Sequence, residues 1–231
     1  MNDPARVPDD DLDALIDPEL RAEIGDPVPV TFAATLVYVP LLLAGLAASW
    51  WLTGSLSGPA YAPARIALDL LLGAAIALSI TAATFGLARR VQALQELEIE
   101  FRRVLGHLGK WQIFRLAALS GAAEELVFRG AIQPLIADDR FLGWGDAHGV
   151  VWTSLFFGLL HFLPHKVFLP WTIFAGVVGF LCGLLFVERG SLVAPIALHV
   201  VLNAVNLRLI VSGRRLPPGA DTPSSATPSP R

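Results

Sequence analysis

The side chains best suited to chemistry in this sequence are two adjacent glutamates and an arginine, Glu124, Glu125 and Arg129. They lie in an apolar segment, residues 116–137, that contains no other ionisable residue and is long enough for a membrane helix. Charges at bilayer depth are costly, so they mark a functional site by default. Arg129 shares a helix face with Glu125, four residues earlier, while Glu124 points about 100° away. The spacing therefore predicts one carboxylate held in an ion pair and one that faces a cavity as a general base.

Two later apolar segments each carry a histidine with a partner at helical spacing. His161 follows Phe157 by four residues, and Asn203 follows His199 by four. Polar side chains in membranes normally find hydrogen-bond partners across helices, so we expect these groups around one water-filled pocket with Glu124. There, Glu124 could take a proton from water while His161 orients it. His199 and Asn203 could donate to the oxyanion formed during amide hydrolysis.

The same residues permit a second arrangement. Glu124, His161 and His199 have the composition of a three-ligand catalytic zinc site with one position open for water. Asn203 would then be a hydrogen-bond donor beside the metal rather than a ligand. From the residues alone, both arrangements stay open.

The elements that carry these residues follow from the composition. The chain has 231 residues, of which 54% are hydrophobic and 16% are charged, whereas soluble domains average about 25% charged. Long uncharged runs can each cross a bilayer of roughly 30 Å. The sequence predicts an all-α, polytopic transmembrane helix bundle, with an amphipathic helix within residues 89–110 that lies at the membrane surface or serves as a cytosolic connector. Six spans are predicted, at residues 31–52, 66–88, 111–137, 149–163, 168–187 and 192–211.

Three regions are predicted along the chain. Residues 1–28 hold nine acids and two arginines and form an acidic leader. Residues 29–212 form the helix bundle, with the motif-bearing core at residues 111–211, and residues 213–231 form a flexible tail rich in Pro, Ser and Thr. Basic residues concentrate in the loops on one side, which predicts cytoplasmic N- and C-termini. No basic patch for nucleic acid is present in the sequence.

Three motifs resemble those of the CAAX protease and bacteriocin-processing family, also called CPBP or Abi. They are Glu-Glu-x-x-x-Arg at Glu124, Phe-x-x-x-His ending at His161, and His-x-x-x-Asn from His199 to Asn203. The resemblance implies an intramembrane endopeptidase; eukaryotic members remove the last three residues of prenylated CAAX proteins. It implies that Glu124 activates water with help from His161, and that His199 and Asn203 bind the oxyanion. Glu125 and Arg129 support them.

The resemblance also sets the expected surroundings. The partners would be a peptide or lipidated protein substrate and membrane lipid, and the compact form suggests a bacterial inner membrane. We favour chemistry without a cofactor, because His199 and Asn203 suit an oxyanion hole. Zinc held by Glu124, His161 and His199 is the alternative.

Two other functions use the same residues. The chain could be a catalytically silent scaffold or an immunity protein, because an intact motif does not prove turnover. It could also be a proton-coupled transporter, because buried Glu and His side chains line proton pathways. The chain is short, and its sequence shows no repeated halves with broken helices, which disfavours transport.

Overall fold

The computed structural model describes residues 30–54 and 62–216. The predicted acidic leader, residues 1–28, lies outside the described residues. So does the tail from residue 217 onward. Within the described ranges the chain is helical and contains no strand, which confirms the predicted all-α class.

The helices are named here in chain order. A π-helical segment, Phe128–Ile132, joins the fourth helix to the fifth, and a 3-10 turn, Lys166–Phe168, precedes the seventh. The α-helices of the described residues are α1 (Val30–Thr53), α2 (Pro63–Ala88), α3 (Gln92–Leu105), α4 (Lys110–Val127), α5 (Gln133–Ala137), α6 (Asp146–Leu160), α7 (Leu169–Arg189) and α8 (Val193–Ser212).

Four of these helices are long and apolar enough to cross a membrane by length and composition: α1, α2, α7 with its preceding turn, and α8. This indicates an integral membrane protein, and the predicted count of six spans is approximate. The third predicted span is charged and interrupted by the π-helical segment. The fourth predicted span corresponds to α6, whose 15 residues reach only about 22 Å at 1.5 Å per residue.

Small residues let the long helices approach closely. Gly73 on α2 lies so near α8 that a Cβ there would overlap the carbonyl oxygen of Ala194. On α6, Gly158 faces Gly176 of α7, where an added Cβ would lie 3.0 Å from the opposing Cα. Such small-residue contacts are the usual means by which membrane helices pack, since lipid is as apolar as a leucine side chain. A buried apolar cluster lies between α2, α7 and α8, formed by Ala77, Val178, Cys182, Leu198 and Leu202.

Two local departures from the predicted helices bear on the site. The predicted helix at residues 111–137 widens into the π-helical segment Phe128–Ile132, directly before Pro134. Proline lacks an N–H and crowds the preceding turn, and π-helical turns occur often at functional sites. The fourth predicted helix ends at Leu160 rather than at residue 163, so His161 is its C-cap residue.

The amphipathic helix α3 covers one end of the bundle. Its apolar side chains Leu94, Leu97 and Phe101 line the interior cavity described below. Phe101 also packs edge-to-face against Trp171 of α7, with ring centroids 5.2 Å apart. Part of the apolar face of α3 is therefore directed to protein; of its two predicted roles, at the membrane surface or as a cytosolic connector, neither is decided by this packing.

Candidate active site

A cavity of about 810 Å³ opens between the helices, with walls from α1 to α4 and from α6 to α8. Most of its wall is apolar. The four side chains predicted to be catalytic, Glu124, His161, His199 and Asn203, all line it. The structure thus brings together residues that are up to 79 positions apart, from Glu124 on α4 to Asn203 on α8.

A buried ion pair between Glu125 and Arg129 lies next to the proposed catalytic groups and holds them in place. Glu125 and Arg129 are both fully buried, and Arg129 Nη1 donates to Glu125 Oε1 over 3.0 Å. Arg129 Nη2 donates to the carbonyl oxygen of Gly179 on α7 over 2.5 Å. The predicted pairing along the helix is present, and it also ties the π-helical segment to a neighbouring helix. A buried charge is tolerated only when paired and hydrogen-bonded in this way.

His199 is oriented by that ion pair. Its Nδ1 lies 2.7 Å from Glu125 Oε1, which also accepts from Arg129. A carboxylate only accepts hydrogen bonds, so Nδ1 carries a proton and Nε2 points elsewhere. Nε2 lies 3.6 Å from Glu124 Oε2. It follows that neutral His199 presents a lone pair to the cavity, and that it donates to an oxyanion only when doubly protonated.

His161 is oriented by its own helix end. Its Nδ1 lies 2.8 Å from the carbonyl oxygen of Phe157, so this nitrogen is the donor. Nε2 faces Glu124 Oε2 at 3.9 Å. The Phe157 ring packs against both imidazoles, with centroid separations of 4.5 Å to His161 and 5.8 Å to His199. The second motif therefore supplies a packing aromatic and a carbonyl that fix His161.

Glu124 Oε2 is the point on which both imidazoles converge. This oxygen is buried and has no hydrogen-bond partner among the described residues. Its distances of 3.6 and 3.9 Å to the two Nε2 atoms exceed a direct hydrogen bond. They are short enough for one water molecule to bridge them. Glu124 therefore faces the cavity, as its position one residue before the paired glutamate predicts.

Asn203 lies one helical turn beyond His199 on α8. Its Nδ2 donates to Ser120 Oγ on α4 over 3.2 Å, and its side chain is half-buried in the cavity wall. An asparagine amide has two N–H donors, so one remains for a ligand in the cavity.

The zinc alternative was tested against these positions. In the part of the chain that the structure describes, no group of three His, Cys, Asp or Glu side chains has the spacing of metal ligands. Tetrahedral ligands at 2.0–2.1 Å from zinc lie about 3.3 Å apart. The separations from the Glu124 carboxylate, 3.6 and 3.9 Å, are wider. As placed, these residues do not form a zinc-ligand set.

One residue at the site escapes sequence reasoning. Tyr38 of α1 lines the cavity together with Glu124, and its hydroxyl is close enough to interact electrostatically with the Glu124 carboxylate. It is one of only two tyrosines in the chain, and the only one within a predicted span. That position is the signal that could have found it, although no motif includes it.

Fold and site together define a membrane protein, helical over its described ranges, with a carboxylate and two imidazoles around a mostly apolar cavity. Residues 106–205 match the family model described as Type II CAAX prenyl endopeptidase Rce1-like. This segment contains all three motifs, and the match is consistent with the CPBP family recognised from the sequence. That description names an endopeptidase, whereas the indication of a membrane protein comes from the four long apolar helices.

A curated relative and the solved structures complete the comparison. The relative is "Uncharacterized protein YpbD" of Bacillus subtilis (strain 168), 33% identical over 96 residues. The alignment covers 40% of this chain and 42% of the relative, so the chain matches less than half of that protein's length. No solved structure matches the chain.

Proposed function

We propose that this protein is an intramembrane endopeptidase of the CAAX prenyl protease type, in which Glu124 activates the attacking water. The observation that carries the proposal is the convergence of two imidazole Nε2 atoms on Glu124 Oε2, at 3.6 and 3.9 Å, inside an apolar cavity. The family of residues 106–205 supports the peptidase class. The identity of the reacting residues is our own assignment.

The proposed reaction begins with one water molecule between these groups. It donates one hydrogen bond to Glu124 and one to the Nε2 lone pair of His161, which leaves an oxygen lone pair for the substrate carbonyl. Glu124 takes the proton as the C–O bond forms. When the C–N bond breaks, protonated Glu124 returns this proton to the departing amine. A positioned general base of this kind contributes about 10²- to 10⁴-fold in rate.

The oxyanion is the second centre of charge in this scheme. We assign its stabilisation to the free N–H of Asn203 and to Nε2–H of His199 in its doubly protonated form. Glu125 remains bound to Nδ1 throughout and keeps the ring in place. Such donors act more strongly in a site from which water is largely excluded, where removal of one costs about 10²- to 10³-fold.

The substrate and its location are proposed on the same basis. The cavity is large and mostly apolar, which suits a peptide that carries a lipid group, or an apolar stretch of a membrane protein. We place the protein in a bacterial inner membrane with cytoplasmic termini, as the distribution of basic residues predicts.

The test is cleavage by purified protein in detergent micelles. The substrates are a prenylated CAAX peptide and the same peptide without the prenyl group, with products identified by mass spectrometry. Wild type is compared with Glu124→Gln and with Glu96→Gln, a matched change at an exposed glutamate on α3. We expect Glu124→Gln to lower the cleavage rate at least about 100-fold and Glu96→Gln to leave it unchanged. Undiminished cleavage by Glu124→Gln, or none by wild type, contradicts the proposal.

A further inference from the structure

A second polar cluster lines the same cavity, away from the proposed catalytic groups. It contains Glu98 of α3, Asn206 of α8 and Arg215, which follows α8. Arg215 Nη2 donates to Asn206 Oδ1, and Arg215 Nη1 lies 4.0 Å from Glu98 Oε2. Arg215 is 7% exposed and Glu98 is 4% exposed. A buried guanidinium thus lines a second polar region of a mostly apolar cavity.

Arg215 retains hydrogen-bonding capacity. A guanidinium has five N–H donors, and the separation of 4.0 Å from Glu98 is an ion pair too long for a hydrogen bond. Its buried Nε has no hydrogen-bond partner in the described part of the chain. Burial lowers the pKa of Arg215, and the charge of Glu98 partly offsets this effect. The planar donor fork of arginine suits a carboxylate, which it can bind through two parallel hydrogen bonds.

The distance along α8 between the proposed catalytic groups and the Arg215 cluster can be compared with the length of a bound peptide. Asn206, which holds Arg215, is seven residues after His199 and on the same face of α8. Seven residues of α-helix rise about 10 Å. An extended peptide of three residues spans at most about 10–11 Å. Asn203, the other proposed oxyanion donor, is only three residues before Asn206, a rise of about 4.5 Å. A carboxylate bound at Arg215 would therefore lie about one to three residues beyond a peptide bond held at the proposed catalytic groups.

We propose that Arg215 binds the C-terminal carboxylate of the substrate and so measures the cleavage position from the end of the chain. This rests on the proposed function and adds the group that the site recognises. Asn206 holds the guanidinium in position. Glu98 places a negative charge beside the incoming carboxylate and weakens its binding.

The test uses two peptides of one prenylated sequence, one with a free C-terminal carboxylate and one with a C-terminal amide. Wild type is compared with Arg215→Gln and with Arg214→Gln, a matched change at the adjacent exposed arginine. We expect wild type and Arg214→Gln to show a KM about 10- to 100-fold lower for the acid than for the amide. In Arg215→Gln, the two KM values should become equal. Equal KM values for both peptides in wild type overturn the proposal.

A second variant separates recognition from a structural role. If Arg215 and Glu98 merely clasp α3 to the end of α8, Glu98→Gln should impair cleavage just as Arg215→Gln does, and that result overturns the proposal. If Arg215 binds the substrate, Glu98→Gln should lower KM for the acid peptide relative to KM for the amide peptide. Misfolding cannot lower a KM in this way. The Glu98→Gln result therefore tests the proposal even if Arg215→Gln does not fold. Failure of wild type to cleave either peptide would instead contradict the proposed function.

Discussion

Replacement of Glu125 by glutamine should destabilise the bundle, although the change is isosteric. Oε1 of Glu125 accepts from Arg129 over 3.0 Å and from His199 over 2.7 Å, and neither Glu125 nor Arg129 is exposed. A neutral amide removes the only carboxylate bonded to this guanidinium among the described residues, and leaves the carbonyl of Gly179 as its acceptor. Arg129 then becomes a buried charge without a counter-charge.

The magnitude follows from burial. Loss of one partner of a buried ion pair costs about 3–5 kcal/mol, because the remaining charge stays desolvated. For a chain of this length, 1 kcal/mol shifts the melting temperature by roughly 2–4 °C. The Tm of Glu125→Gln should therefore fall by roughly 6–20 °C relative to wild type.

The adjacent glutamate provides the control. Glu124 Oε2 faces the cavity without a hydrogen bond from any described residue, so Glu124→Gln should melt within about 2 °C of wild type, or higher. Both variants are purified in the same detergent, and unfolding is followed by circular dichroism during heating. The reasoning fails if the two variants melt together, or if Glu124→Gln is the less stable one.

Three further predictions concern packing, the proposed base and the choice of chemistry. Gly73→Ala should lower Tm, because the new Cβ would overlap the Ala194 carbonyl. In the control Gly86→Ala, the new Cβ meets nothing within 4 Å, so Tm should stay unchanged or rise. Equal losses of Tm in both variants would contradict the close approach of α2 to α8. Tyr38→Phe should keep the fold and lower kcat about tenfold, because the hydroxyl interacts with Glu124; an unchanged kcat would remove Tyr38 from the site. Exhaustive chelation should leave peptide cleavage intact, with no stoichiometric zinc found by elemental analysis, whereas activity lost on chelation and restored by zinc would favour the metal-ligand alternative.

Local helix geometry made much of the site predictable. The spacing of four residues suffices to pair Glu125 with Arg129, since the contact lies within one helix. The same spacing relates His161 to the Phe157 carbonyl that its ring contacts. The four helices that are long and apolar enough to cross a membrane could also be predicted, because uncharged apolar runs of about 20 residues are visible in the sequence.

Other features depend on contacts between distant segments and could not be predicted in this way. Tyr38 reaches Glu124 only because α1 packs along α4. Arg215 follows the last predicted span, where the sequence gives it no partner, whereas the fold buries it beside Glu98 and Asn206. Two local features could not be predicted for a different reason. The end of α6 and the π-helical turn are adjustments of the backbone that hydrophobic periodicity does not encode.

The central claim is that Glu124 activates a water molecule rather than attacking the peptide itself. It is tested most directly by peptide cleavage under single-turnover conditions in ¹⁸O-labelled water, with product and protein both analysed by mass spectrometry. Attack by water predicts one ¹⁸O atom in the new carboxyl group of the product and none in the protein segment that contains Glu124. Label found in the Glu124 side chain would indicate a covalent acyl-glutamate intermediate and contradict the claim.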